Sequence, residues 1–191
     1  GSEMCIRDRV SAAVGASELI RRFSPDCIVS TGVAGGIDAC LKVTDVVASQ
    51  RLVYHDVWCG DGNEYGQVQG FPASYEGCSS LLKHALSLNE AGMESRIHSG
   101  LVCTGDQFIT NRTELDTIKQ RFPDGLAVDM ESAAIAQICY LYNVPFLSFR
   151  IISDTPGVED HASQYADFWG TMAERSFLTI WTFLSTLPSN L

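Results

Sequence analysis

No apolar run in this 191-residue sequence reaches the roughly eighteen residues a membrane helix needs, which excludes a helical span. Basic residues are scarce: 13 Lys and Arg stand against 23 Asp and Glu, a net charge of -10. Nothing forms the basic stripe that a nucleic-acid partner requires, so nucleic acid is excluded as a ligand. The seven cysteines, at 5, 27, 40, 59, 78, 103 and 139, are odd in number and contain no CxxC pair. They read as reduced thiols of a cytoplasmic protein, mostly small buried hydrophobes. Four scattered histidines form no HExxH or other ligand cluster, so no metal is expected. Neither GxGxxG nor a Walker loop occurs, because no Lys follows the last Gly of TGVAGG at 31–36. No other cofactor is implied. There is no secretory h-region, internal repeat, low-complexity tract or linker.

What is present has a globular balance, with 46% hydrophobic and 19% charged residues. Gly1-Ser2 resembles an expression scar, and residues 1–9 read as a leader without an apolar period. Residues 10–191 read as one domain. Helical spacing begins at Val10, with Ala12, Ala16, Leu19, Ile20 and Phe23 on one stripe. Strands are predicted over 26–30, 43–49, 51–55, 97–104, 126–130 and 145–152. Helices are predicted over 76–91, 111–121, 131–142 and 165–186. Residues 57–75 form a long Gly-rich loop carrying Trp58, Tyr65, Phe71 and Tyr75. Strands alternating with helices predict an α/β three-layer sandwich around a mixed, largely parallel sheet.

Ligands of open α/β sheets bind beyond the carboxyl ends of strands. Four predicted strand ends carry notable residues: TGVAGG, TGDQFIT, DMES and Ser153-Asp154. TGVAGG reads as a tight turn, or as a loop offering amides to a phosphate. Glu131 lies at a strand-to-helix junction. There it complements the helix dipole or accepts hydrogen bonds from ligand hydroxyls. Asp129 reads as structural, since neighbouring strand residues point to opposite faces. Arg150 and Asp154 bracket an apolar strand, where charge is costly unless paired. Asp154 is either a turn residue or an acid whose proton affinity is raised by about 4 kcal/mol. Phe108 is either core or a platform for a planar ligand. His55, Asp56 and His161 read as surface or hydrogen-bonded groups.

The ordered fragments PDCIVSTGVAGG, YHD, EYGQVQGFP, TGDQFIT, AVDMESAAIAQIC and NVPFLSFRIISD run from Val10 onward. Together they resemble the 5'-methylthioadenosine/S-adenosylhomocysteine nucleosidases of the purine nucleoside phosphorylase-like superfamily. The resemblance implies hydrolysis of an N-glycosidic bond, releasing adenine and a 5-thio-substituted ribose. It implies that Asp154, beside Ser153, protonates adenine N7. Glu131 would bind the ribose hydroxyls and Met130 would pack on the sugar. Phe108 would stack on adenine, and the main chain of Ile109 would read the purine edge. Arg150 would order the carboxylates. A homodimer is expected, because the aromatic loop at 57–75 suits an interface.

Three departures from the family pattern stand out. The family's opening strand carries a water-activating glutamate, and nothing here matches it. The pattern therefore predicts that about forty to fifty residues, one supersecondary unit, are absent upstream, and it leaves open whether the chain is active without them. Val33 stands where many members have Ser. Asp61 and Asn63 stand where aromatics often line the 5'-alkylthio pocket, with Trp58 nearby. Phosphate-dependent phosphorolysis is the alternative chemistry. Ser30 and Val33, however, occupy the places of its phosphate ligands, an Arg and a Ser. A non-catalytic nucleoside-binding relic is the third alternative.

Overall fold

The computed structural model describes residues 8–92, 95–156 and 161–188. The leader residues 1–7, with Glu3, lie outside this set, as do the side chain of His161 and part of the loop before it. The first helix, α1 (Arg9–Phe23), begins one residue before the predicted stripe. Asp8 caps it: the Ser11 amide and the Ser11 hydroxyl each donate to its carboxylate at 2.8 Å. The helix buries Ala12, Ala16 and Ile20, spaced four apart on one face. These small residues let it lie close against α4 (Ser132–Tyr142), which brings Ala133, Ala134 and Ala136 to the same core.

Six strands form the sheet: β1 (Ile28–Gly36), β2 (Val46–Tyr54), β3 (Tyr75–Glu76), β4 (Ile97–Thr104), β5 (Gly125–Asp129) and β6 (Phe146–Asp154). Their order is β3-β2-β4-β5-β1-β6, and β2 also pairs with β6, so five of them close on themselves. The long ladders β1–β6, β2–β4 and β4–β5 are parallel, while β1–β5, β2–β3 and β2–β6 are short and antiparallel. The sheet is therefore mixed and largely parallel, as the alternating pattern predicts.

Two expectations need correction. TGVAGG is strand, not turn: β1 runs through it to Gly36, with Thr31 to Ala34 paired to Phe149 to Ile152. Its glycines serve close packing, since side chains of β6 and the loop beyond it fill their Cβ positions. Arg150 occupies that space at Gly32, Pro156 at Gly35 and Ile152 at Gly36. The segment is extended and laddered to β6, so it forms no turn of converging amides for a phosphate. The strands predicted over 43–49 and 51–55 are one strand with a bulge at Gln50, because Ser49 pairs with Gly100 and Arg51 already with Leu101. The extra residue reverses the alternation. Val46 and Ala48 face one core and Val47 the other, but beyond the bulge Leu52 and Tyr54 join Val47.

Helices cover both sides of the sheet. One layer is α1 and α4 on the core that contains Val47, Val102, Ala127 and Ile152. The opposite layer has two parts. At one end, α2 (Ser79–Ser87) and α6 (Ala173–Ser185) pack on Val46, Leu147, Phe149 and Ile151, with Phe183 stacked on Phe149 at 4.7 Å. At the other end, α3 (Arg112–Arg121) sets Leu115 and Ile118 against Leu101, Cys103 and Val128. The predicted last helix is interrupted: α5 (His161–Asp167) meets α6 through a π-helical turn at Phe168–Met172.

Candidate active site

β1 runs between β5 and β6, and this ordering places the notable carboxylates. Gly35 pairs with Val128 on one side and with Asp154 on the other. Adjacent strands lie about 4.8 Å apart, so the backbones of Val128 and Asp154 are separated by roughly 10 Å, about the width of a sugar ring with its contacts. The register also sets Thr104 beside Asp129 and Gly32 beside Arg150.

Arg150 is 3% exposed, so its charge must be met by protein groups. Its Nε donates to Asp129 Oδ2 at 2.8 Å and lies 3.0 Å from Ser132 Oγ. One terminal nitrogen donates to Ser30 Oγ at 3.1 Å and lies 3.7 Å from Glu131 Oε2. The other sits over Gly32, in the space a Cβ would take. Gly32→Ala is expected to push the guanidinium out of this seat at a cost of about 2 kcal/mol, the usual range for overpacking. Thermal denaturation checks this, and an unchanged midpoint would show that the seat is slack.

Asp129 is the residue that sequence reasoning undervalued. It is the buried counter-ion of Arg150, and it also receives the Thr104 hydroxyl at 2.6 Å and the Ser132 hydroxyl. The available signal was a second carboxylate two residues before Glu131 in an otherwise apolar strand. Glu131 occupies the position before α4 but makes no side-chain cap; it turns toward Arg150 instead. Burial raises its proton affinity to about 7; Arg150 opposes that rise and Asp129 adds to it.

Asp154 is the last residue of β6 and is 3% exposed. Ser153 Oγ donates to its Oδ1 at 2.5 Å. Ser153 and Asp154 thus extend the strand predicted to stop at Ile152, and the pair faces the end of β1.

Phe108 is 55% exposed and meets Tyr165 of α5 edge to face, with ring centres 5.7 Å apart. Ile109 is buried against α3, which anchors the TGDQFIT loop. Met130, which follows Asp129 and precedes Glu131 in the chain, is half-buried. Val33, paired with Ile151, is half-buried and packs against the core cluster of Leu147, Phe149 and Ile151. His55 is buried, not at the surface: its ring edge fills the Cβ space of Gly105, and its Nε2 meets no partner among the described residues. Burial lowers its proton affinity, which keeps the ring neutral. Of the loop aromatics, Phe71 and Tyr75 fold back onto Tyr140, whereas Trp58 stacks on Tyr65 and stays exposed. Among the described residues no group of three or more His, Cys, Asp or Glu is arranged to hold a metal.

With this geometry established, comparison with known proteins is decisive. A family model described as the phosphorylase superfamily matches residues 9–185. A 5'-methylthioadenosine/S-adenosylhomocysteine nucleosidase from Chromohalobacter salexigens is 43% identical over 156 residues, which is 81% of this chain and 66% of the relative. One from a Geobacillus species is 38% identical over 180 residues, which is 94% of this chain and 77% of the relative. The chain belongs to this nucleosidase family. Its fold agrees: the nucleosidase of Neisseria meningitidis in complex with methylthio-immucillin-A superposes with a TM-score of 0.88 at 33% identity, over 95% of this chain and 78% of that one. The Colwellia psychrerythraea nucleosidase in complex with adenine gives 0.89 at 34% identity, over 97% of this chain and 77% of that one. The nucleosidase-family chain described here thus spans about two thirds to four fifths of the length of these relatives.

Proposed function

We propose that this chain binds a 5'-thio-substituted adenine nucleoside and that its residues serve hydrolysis of the N-glycosidic bond. The observation that carries this reading is the placement of Asp154 and the Arg150–Glu131 pair at the ends of β6 and β5, on either side of β1. A base seated near Asp154 and a sugar near Glu131 span that gap. Asp154 delivers a proton to N7 as the C1'–N9 bond breaks, and the bonding electrons leave with the purine. Water adds to C1' and its proton passes to solvent, from which Asp154 is reprotonated. The products are adenine and a ribose that retains its 5-thio substituent. Carboxylates close to the sugar stabilise the positive charge that develops on it. Phe108 offers a face for the base, and Ile109 holds the loop that reads its edge.

Phosphorolysis is the second reading, and Ser30 weighs against it. Ser30 is a neutral side chain whose Oγ accepts from Arg150, and Val33 is apolar and packs against the core, so the expected Arg and Ser ligands of phosphate are both replaced. Incubation with 5'-methylthioadenosine should release adenine at a rate independent of orthophosphate. A rate that rises with orthophosphate and yields a ribose 1-phosphate would favour phosphorolysis. Adenine binding without release would favour the non-catalytic relic, and failure of both binding and release would overturn the reading.

A homodimer is part of the same proposal. Its support is the exposed apolar surface of α1 and α4, where Val10, Val14, Tyr140 and Leu141 lie, together with Trp58. Light scattering should give twice the chain mass, and a monomer at micromolar concentration would contradict it. No helix among the described residues is long and apolar enough to cross a membrane. The six described cysteines are unpaired, which fits the reducing cytoplasm.

A further inference from the structure

Three hydroxyls lie behind Arg150 and face no solvent. Thr104, Ser132 and Ser148 are each 0% exposed and come from β4, the start of α4 and β6. Buried hydroxyls are costly unless each proton and lone pair is used. Thr104 Oγ1 donates to Asp129 Oδ1 at 2.6 Å and accepts the Ala133 amide at 2.9 Å. Ser132 Oγ donates to Asp129 Oδ2 and lies 3.0 Å from Arg150 Nε, as an acceptor of that N–H. Its proton is committed to the carboxylate, so the 2.6 Å contact with Ser148 Oγ has Ser148 as donor. The Ser132 amide also points at Asp129, at 3.2 Å from Oδ2. The result is a directed chain, Ser148 to Ser132 to Asp129, with Thr104 closing the other carboxylate oxygen.

This arrangement fixes Asp129 on both oxygens, and Asp129 fixes Arg150 through Nε. A guanidinium is planar, so holding Nε sets the direction of both terminal nitrogens. One of these then reaches Ser30 and Glu131. We propose that Thr104, Ser132 and Ser148 are positioning residues for the sugar half of the site, acting through Asp129 and Arg150 on Glu131. Their hydrogen bonds converge on Asp129 and Arg150; Ser148 shares β6 with Asp154 but sits six residues before it, at the Asp129 end of the network. The inference rests on the proposed nucleoside-binding reading and deepens it, because it makes sugar recognition separable from base recognition.

The test compares affinities for adenine and for a non-hydrolysable 5'-methylthio C-nucleoside. Thr104→Val keeps the shape and loses the hydroxyl, and Ser148→Ala removes the head of the chain. Each should weaken the C-nucleoside about tenfold, as expected when a buried hydrogen-bond partner is lost, and leave adenine within about twofold. Thr104→Ser and Ser148→Thr restore a hydroxyl and should restore the C-nucleoside affinity. Equal losses for both ligands, or no loss for either, would overturn the inference. A second readout needs no ligand. The Arg150 Nε–H should give a slowly exchanging nitrogen-15 NMR resonance in the parent and in Thr104→Ser, and that resonance should be lost in Thr104→Val. Unchanged exchange across the three would overturn the brace even if the parent binds no nucleoside, whereas a parent that binds neither ligand but shows the exchange pattern would sink only the functional reading.

Discussion

Asp154→Asn is expected to cut adenine release by about a thousandfold while leaving adenine affinity within a few-fold of the parent. General acid catalysis typically contributes about a hundred- to ten-thousandfold, and this acid has no substitute beside it: its neighbour is Ser153, whose hydroxyl is far too weak an acid to protonate a purine. Asn preserves the shape of the side chain and an oxygen to accept the Ser153 hydrogen bond, which the parent makes at 2.5 Å. Its amide still donates to N7 but transfers no proton. Binding and chemistry should therefore separate. Adenine release is followed spectrophotometrically, and affinity by calorimetry. Turnover that survives the substitution would remove Asp154 from the mechanism. Joint loss of turnover and affinity would make it a structural residue at the end of β6.

The sequence makes some of this legible and hides the rest, for identifiable reasons. β4 and β6 are largely apolar and mostly buried on both faces, so both strands show in the chain itself, although β6 runs two residues past its predicted end. Arg150 stands out because a cation inside such a run demands a partner. Glu131 and Asp154 stand out because they sit at strand ends. TGVAGG misleads, because its glycines resemble a turn when read locally. Their purpose is to admit Arg150, Pro156 and Ile152, all more than a hundred residues away. Asp129 is obscured in the same way, since its role depends on Thr104 and Arg150, which lie 25 and 21 residues distant. Gln50 looks like a break between two strands and is a bulge within one. In each case the deciding contact is tertiary, and local propensity has no access to it.

Glu131→Gln should make the protein more stable above pH 7 and less able to hold a nucleoside. In the folded chain burial raises the Glu131 proton affinity to about 7, against 4.5 for an ordinary glutamate. Between these values the unfolded chain releases a proton that the folded chain keeps. Rising pH therefore favours unfolding across that window, and the cost levels off above it. The gap corresponds to at most about 3 kcal/mol, reduced by whatever water reaches a side chain that is 17% exposed. Gln carries no such cost, so the stability difference between variant and parent should be absent near pH 4, grow up to pH 7 and then hold. His55 acts in the opposite sense, because burial lowers its proton affinity and stability falls as pH drops below 6.5. Being present in both proteins, it cancels in the difference. Ribose hydroxyls are donors, and an ionised carboxylate accepts two of them. Binding of a 5'-methylthio C-nucleoside by the parent should therefore expel the Glu131 proton and tighten from pH 6 to 8, whereas adenine binding should show no such dependence. Calorimetry in two buffers of different ionisation enthalpy measures the released proton directly. Parallel stability curves for variant and parent, with no proton released on nucleoside binding, would mean that Glu131 is already ionised in the free protein and that Arg150 outweighs its burial.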